Sequence, residues 1–267
     1  MSAIVTGSER IAEAFESARA EGRRAALMPY LMAGYPDLNR SRAIAHAYVA
    51  GGADLIELGI PFSDPLADGP VIHAADVAAL ATGVRLDAAI GIAREVADEV
   101  PVVVMCYVNV ILARGLERFA DLLVSAGASG LIVPDLPLEE APATLEALDR
   151  RGLALVPLVA PTTPEERLAQ IGERARGFLY TVSVTGTTGE RESNAGLPEI
   201  VARARAHTDV PVAVGFGIGS PEQARAAADA GADGVIIGTR LVRAAGEAVD
   251  PASELLSLVR AFAQALG

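Results

Sequence analysis

The chain contains no lysine; all 22 of its basic residues are arginine. A lysine Schiff base is therefore excluded from its chemistry. It has a single cysteine, Cys106, which rules out an internal disulfide and a thiolate metal cluster and suits a reducing cytoplasm. Cys106 lies in the apolar run VPVVVMCYVN (100–109), where a buried small hydrophobe is expected rather than a nucleophile. The three histidines, His46, His73 and His207, show no ligand spacing, which argues against a metal site. Positive charge is also scarce: 34 acidic residues against 22 basic ones leave a net charge of −12, the opposite of the basic face that nucleic-acid binding requires. No apolar run reaches the length of a membrane span. The opening MSAIVTGSERIAEAFESARAEG has acidic residues in a helical pattern and lacks the basic and apolar blocks of a signal peptide.

What is present is a repeating pattern. Eight short apolar runs recur near 25–33, 53–61, 100–108, 129–135, 153–161, 177–183, 210–218 and 233–239, with helical segments between them. Continuous apolar strands without alternation are what a parallel sheet covered on both faces needs. Several helical segments open with Ser or Thr followed by Pro-Glu, which predicts an N-cap, a proline in the first turn and an acid at the positive end of the dipole. Many close on Gly-Ala, as helix C-caps do. Periodicity alone leaves an open doubly wound sheet as the alternative. Eight near-equal units in 267 residues, close to the roughly 250 of such folds, favour an α/β (β/α)8 (TIM) barrel, with an extra N-terminal helix (SERIAEAFESARAEG) plugging its floor. No linker divides it, so residues 1–267 are expected to form one domain.

In a barrel the chemistry sits where strands end and the following loops begin. That rule selects Glu57, Asp64 and Asp68 after the second strand, Tyr107 and Asn109 after the third, Asp135 after the fourth, Tyr180 and Ser183 in the sixth, and the glycines after the last three. Glu57 interrupts an apolar run in ELGIPFSDPLADGP, so burial should raise its pKa and suit it to exchange protons near neutrality. A structural glutamate hydrogen-bonded in the barrel mouth would look the same. Asp68 precedes Gly-Pro and could equally cap the helix beginning near residue 70, while Asp64, in Ser-Asp-Pro, suits a turn. Three glycine-bearing strand ends, TGTTG (185–189), GFGIGS (215–220) and GVIIGTR (234–240), converge on one side of a barrel and can hold a phosphate on backbone N–H groups; ordinary tight turns are the alternative. With no lysine, metal cluster or activated thiol, general acid/base catalysis by carboxylates remains.

ELGIPFSDPLADGPVI, CYVN, VPDLP, YTVSVTGTTG, VGFGI and ADGVIIGT, in that order, resemble the tryptophan synthase alpha chain family over essentially the whole length. The resemblance implies a (β/α)8 barrel that cleaves indole-3-glycerol phosphate to indole and glyceraldehyde 3-phosphate. It implies Glu57 as the acid/base and Asp68 as the group that accepts the indole N–H. Tyr180 would line the pocket near Glu57, with Tyr30, Tyr107 and Asn109 as less specific matches to substrate-pocket or partner-facing positions. Backbone groups around Gly189, Phe216, Gly217, Gly238 and Thr239 would hold the phosphate. It further implies no cofactor in this chain, a pyridoxal-phosphate beta chain as partner in an alpha2-beta2 tetramer, and a cytoplasmic setting. A stand-alone lyase releasing free indole is the alternative, and a silent regulatory barrel a more distant one. Two positions depart from the family pattern: Thr239 stands where serine is usual and His73 where glutamine is common. The polar, glycine-rich stretch TGTTGERESNAG (185–196) reads as a lid that orders on ligand and partner.

Overall fold

The computed structural model describes residues 5–182, 196–215 and 217–267. Among them the chain runs α1 (Gly7–Ala20), β1 (Ala26–Met32), α2 (Leu38–Gly51), β2 (Ile56–Gly59), α3 (Pro70–Ala81), α4 (Leu86–Val96), β3 (Val102–Met105), α5 (Val108–Arg114), α6 (Leu116–Ser125), β4 (Gly130–Ile132), α7 (Pro142–Asp149), β5 (Ala154–Val156), β6 (Leu158–Val159), α8 (Glu165–Arg174), β7 (Leu179–Val182), α9 (Leu197–Arg205), β8 (Val212–Gly215), α10 (Pro221–Asp229), β9 (Gly234–Ile237), α11 (Thr239–Glu247) and α12 (Pro251–Leu266).

Every strand pairing is parallel, and the sheet order is β5-β4-β3-β2-β1-β9-β8-β7-β6. Its two ends, β5 and β6, are successive pieces of one apolar run, so the sheet closes on itself and the open doubly wound alternative falls. The fifth expected strand is broken at Pro157, which has no N–H to give the ladder but still accepts from Tyr180 N–H at 3.0 Å. Β5 pairs with β4 and β6 with β7, so the break is also the point of closure.

Alternation along the strands builds two cores. On β1, Leu27 and Leu31 face outward onto α2, where they meet Ile44, Ala45 and Tyr48; Ala26, Met28, Tyr30 and Met32 face the barrel interior. The interior set continues with Val103, Met105, Ile132, Ala154, Val156, Phe178, Tyr180, Ala213 and Ile236. Α1 seals its lower end: Ile11, Phe15 and Ala18 are buried, and the Phe15 and Phe178 rings lie 6.0 Å apart. Thr6 and Glu9 form a reciprocal capping box at the start of α1, and Gly7 N–H donates to the Gly152 carbonyl at 2.7 Å, fastening the plug to the lower rim. Also at this end, Asp54 accepts from Leu27 N–H at 2.7 Å and pairs with Arg23 at 2.6 Å, tying β1 to the start of β2.

Helix starts follow the expected chemistry unevenly. Ser220 caps α10 in a capping box with Gln223, with Pro221 in the first turn. The Thr163-Pro164-Glu165 sequence does not repeat it: Thr163 Oγ1 takes the Ala160 N–H at 2.9 Å, and α8 starts at Glu165 without a side-chain cap. Cys106 is buried in the outer core, as expected for a small hydrophobe, and burial pushes its thiol pKa up. Among the described residues, no helix is long and apolar enough to cross a membrane.

Candidate active site

Strand parity decides which side chains reach the barrel mouth. Ile56 and Leu58 point outward, so Glu57 between them points inward, in register with Tyr30 on β1 and Val103 on β3. Glu57 is 2% exposed, and its Oε2 has no hydrogen-bond partner among the described residues. Burial, reinforced by the charge of Asp68, pushes its carboxyl up to about 8. A structural glutamate would use both oxygens to satisfy neighbours; this one has a buried oxygen without a partner among the described residues, and its side chain lines a pocket.

Asp68 arrives by the loop between β2 and α3. It is not the cap of α3: Gly69 occupies the N-cap position with no side-chain bond, and Pro70 follows in the first turn. Asp68 Oδ2 instead accepts from the Tyr107 hydroxyl at 2.9 Å, and the same hydroxyl accepts from Ala67 N–H at 3.0 Å. Tyr107 thus grips both the carboxylate and the loop that carries it, and its ring stacks on Phe62 at 5.2 Å. Burial raises the Asp68 carboxyl above its ordinary range, with the Tyr107 hydrogen bond and His73 pulling the other way.

A pocket of about 510 Å³, open mouth included, joins the two acids. Tyr30, Glu57, Asp68, Ile72, Met105, Tyr180, Gly217, Ile218, Ile236, Gly238 and Thr239 line it. Its walls are apolar and aromatic, with two carboxyls on one side and the starts of the β8 and β9 loops on the other. Two glycines make room for the tyrosines. A Cβ on Gly59 would lie 1.9 Å from the Tyr30 hydroxyl, and one on Gly215 would lie 2.3 Å from that of Tyr180. Gly217 has φ +83°, a conformation that favours glycine. Gly238 is the N-cap of α11 with no side-chain cap, so the first N–H groups of that helix face the pocket end without intrahelical acceptors.

Not every candidate joins this group. Tyr107 acts from behind Asp68 rather than on the pocket wall. Asp64 is exposed and accepts from the Ser63 hydroxyl at 2.6 Å, in a turn, as expected. Asn109 is exposed on α5, and Asp135 accepts from Val108 N–H at 2.8 Å, joining the β4 loop to the start of α5. His73 is exposed on α3, while His46 and His207 lie near Glu95 and Glu165 on the outer surface. Gly189, Phe216, Ser183 and the stretch 185–195 expected as a lid lie outside the described residues. Among the described residues no group of three His, Cys, Asp or Glu is placed to hold a metal ion.

One acid escaped the sequence reading. Asp76 on α3 is 1% exposed; its Oδ1 accepts from Phe62 N–H at 3.0 Å, and its Oδ2 is buried with no partner among the described residues. Burial pushes its carboxyl up to about 7, against the pull of the Phe62 bond and with the charge of Asp68 adding to the rise. The signal was available in the spacing Ile72, Ala75, Asp76, Ala79, which is the buried face of α3.

Fold and site together define a (β/α)8 barrel enzyme with a pair of pKa-raised carboxyls in an apolar mouth, equipped for acid/base chemistry. A protein-family model described as tryptophan synthase alpha chain matches residues 15–266. The tryptophan synthase alpha chain of Synechococcus elongatus is 48% identical over 235 residues, covering 87% of this chain and 88% of that one. The alpha chain of Rippkaea orientalis is 44% identical over 259 residues, 96% of each. Among solved structures, tryptophan synthase of Mycobacterium tuberculosis superposes with a TM-score of 0.89 at 42% identity, covering 96% of this chain and 98% of that one. The chain belongs to the tryptophan synthase alpha chain family. It is a lyase that cleaves indole-3-glycerol phosphate in tryptophan biosynthesis; the family needs no cofactor of its own, and pyridoxal phosphate resides in the beta chain.

Proposed function

We propose that Glu57 is the proton carrier of this cleavage and Asp68 its electrostatic partner. Protonated Glu57 gives its proton to C3 of the indole ring, and the Asp68 carboxylate accepts the ring N–H and balances the positive charge that develops. Glu57, now a carboxylate, takes the proton of the hydroxyl on the carbon attached to C3. The carbon-carbon bond then breaks, its electron pair returns to the ring to restore indole, and the oxygen closes to the aldehyde of glyceraldehyde 3-phosphate. The ring serves as electron sink, so neither lysine nor metal is required. Tyr30, Tyr180, Met105 and Ile72 pack the ring. The N–H groups of Gly217, Gly238 and Thr239 hold the phosphate, with Gly189 and Phe216 assigned to the same end from the family motif; a backbone donor serves as well from threonine as from serine.

The observation that carries this reading is the buried Glu57 side chain, whose Oε2 has no partner among the described residues and which lines one pocket with Asp68. A substrate analogue lacking the cleavable hydroxyl tests it: Glu57→Gln and Asp68→Asn should bind the analogue within a few-fold of the parent and still lose most of their indole release from substrate. Loss of binding in step with turnover would make these acids binding groups rather than proton handlers.

The proposal takes residues 1–267 as one barrel domain, because strands from both ends of the chain enter one sheet, and it takes the cytoplasm as its setting from the family. Its partner is a beta chain holding pyridoxal phosphate, in an alpha2-beta2 tetramer that passes indole onward. Supporting this, Leu66 in the Asp68 loop is 87% exposed and Leu112 on α5 is 65% exposed, apolar surface that a partner chain would cover. Light scattering of a mixture with a beta chain decides between this and a stand-alone lyase: a complex of two of each supports the tetramer, and two separate species with full indole release would favour the lyase.

A further inference from the structure

Outside the residues just assigned, the strongest unexplained feature is a buried acid that packing does not require. Asp76 occupies the inner face of α3 beside Ile72, Ala75 and Ala79, where alanine would fit without burying a carboxyl. Burying an ionisable group with one oxygen unsatisfied is unfavourable, so its presence points to a role for the other oxygen. That other oxygen, Oδ1, receives the Phe62 N–H at 3.0 Å. Phe62 begins the loop that carries Asp68, and its ring stacks on Tyr107 with centroids 5.2 Å apart and planes 21° from parallel. Tyr107 in turn donates to Asp68 Oδ2 at 2.9 Å and accepts from Ala67 N–H at 3.0 Å.

We infer that Asp76 is a positioning residue for the cleavage: by fixing the Phe62 backbone it sets the Phe62–Tyr107 stack, and through it the place of Asp68 in the pocket. The inference rests on the assignment of Asp68 as the group that faces the indole N–H. Asp76 touches no reacting atom. Its contribution is to hold both ends of a proline-rich loop in one geometry, the Phe62 end directly and the Asp68 end through Tyr107. Misplacement of a group that balances developing charge lowers turnover more than it weakens substrate binding, because that interaction is strongest in the transition state.

The test is a set of indole-release measurements with Asp76→Leu, Asp76→Asn, Asp68→Asn and the pair Asp76→Leu with Asp68→Asn. Asp76→Leu keeps the branching at Cγ, with two methyls in place of the two oxygens, and removes the acceptor; it should lower kcat roughly tenfold or more, with KM changed less than about threefold. Asp76→Asn keeps an amide oxygen for the Phe62 N–H and should restore kcat to within about threefold of the parent. In the Asp68→Asn background Asp76→Leu should add almost no further loss, since both act on one contact. Full additivity, or a native kcat in Asp76→Leu while Asp68→Asn is impaired, would overturn the role of Asp76 and leave that of Asp68 standing. Native turnover in Asp68→Asn would instead overturn the assignment beneath it. If Asp76→Leu is insoluble, Phe62→Ala carries the same expectation, a fall in kcat that vanishes in the Asp68→Asn background, and a native kcat in it would overturn the inference equally.

Discussion

The Tyr107 hydroxyl, from the end of β3, donates to Asp68 Oδ2 across 2.9 Å, so an acid delivered by a loop is held by a residue of the barrel frame. Tyr107→Phe removes that bond and keeps the ring on Phe62. Since the bond pulls the Asp68 carboxyl down against burial, its loss raises the pKa further, and Asp68 is protonated over more of the pH range. The expected result is about a tenfold loss of kcat/KM for indole release near neutrality, from a charge-assisted bond of about 1.5–3 kcal/mol partly replaced by water. The acid limb of the pH profile should move to higher pH; an unmoved limb would show that Tyr107 does not tune Asp68.

The buried Glu57 carboxyl should also cost the fold stability as pH rises. Glu57 has a folded pKa of about 8 against an ordinary value of 4.5, so the folded state holds the proton more tightly than the unfolded chain does. Stability from this group is intact at acid pH and is lost as pH rises between about 4.5 and 8. Glu57→Gln has no proton to lose, so its Tm should gain on the parent steadily across that window. A constant difference in Tm from pH 5 to pH 9 would contradict the buried, raised carboxyl.

Gly59→Ala tests the space reserved for Tyr30. The added methyl would meet the Tyr30 hydroxyl at 1.9 Å, so the ring must move into the pocket or the strand must shift. Stability should fall by about 1–3 kcal/mol and KM for the substrate should rise. Unchanged thermal stability and KM would mean that Tyr30 yields freely.

Phe15→Ala opens the barrel floor, far from the acids. Phe15 is 2% exposed and packs on Phe178 inside the barrel, so truncation should remove about 3–5 kcal/mol of stability in denaturant titration. The kcat of the fraction that remains folded should be near that of the parent. A loss of turnover without a loss of stability would mean that the floor shapes the mouth.

The residues differ in how far sequence alone could reach them. Glu57 was legible because an ionisable group between outward-facing Ile56 and Leu58 has to point inward once the strand is placed. The closed sheet was legible from eight repeated units, but not the break at Pro157, which depends on β5 and β6 finding different neighbours. Asp68 was found by motif, while its restraint was not, because Tyr107 lies 39 residues away and only the barrel brings them together. Its capping alternative failed for a local reason: Pro70 starts α3 one residue later than an Asp68 cap needs, leaving the N-cap to Gly69. Thr163 likewise turned to Ala160 rather than to its helix. Asp76 had a visible pattern, an acid on an apolar helical face, but its meaning required knowing that Phe62 N–H lies opposite.

We propose that Glu57 moves the proton in both directions. Indole release by Glu57→Gln from indole-3-glycerol phosphate, under saturating substrate and compared with Glu57→Asp and the parent, addresses it most directly. Glu57→Gln should lose about 10²-fold or more in kcat while remaining folded, with Glu57→Asp retaining part of the activity. Near-native turnover in Glu57→Gln would show that another group carries the proton.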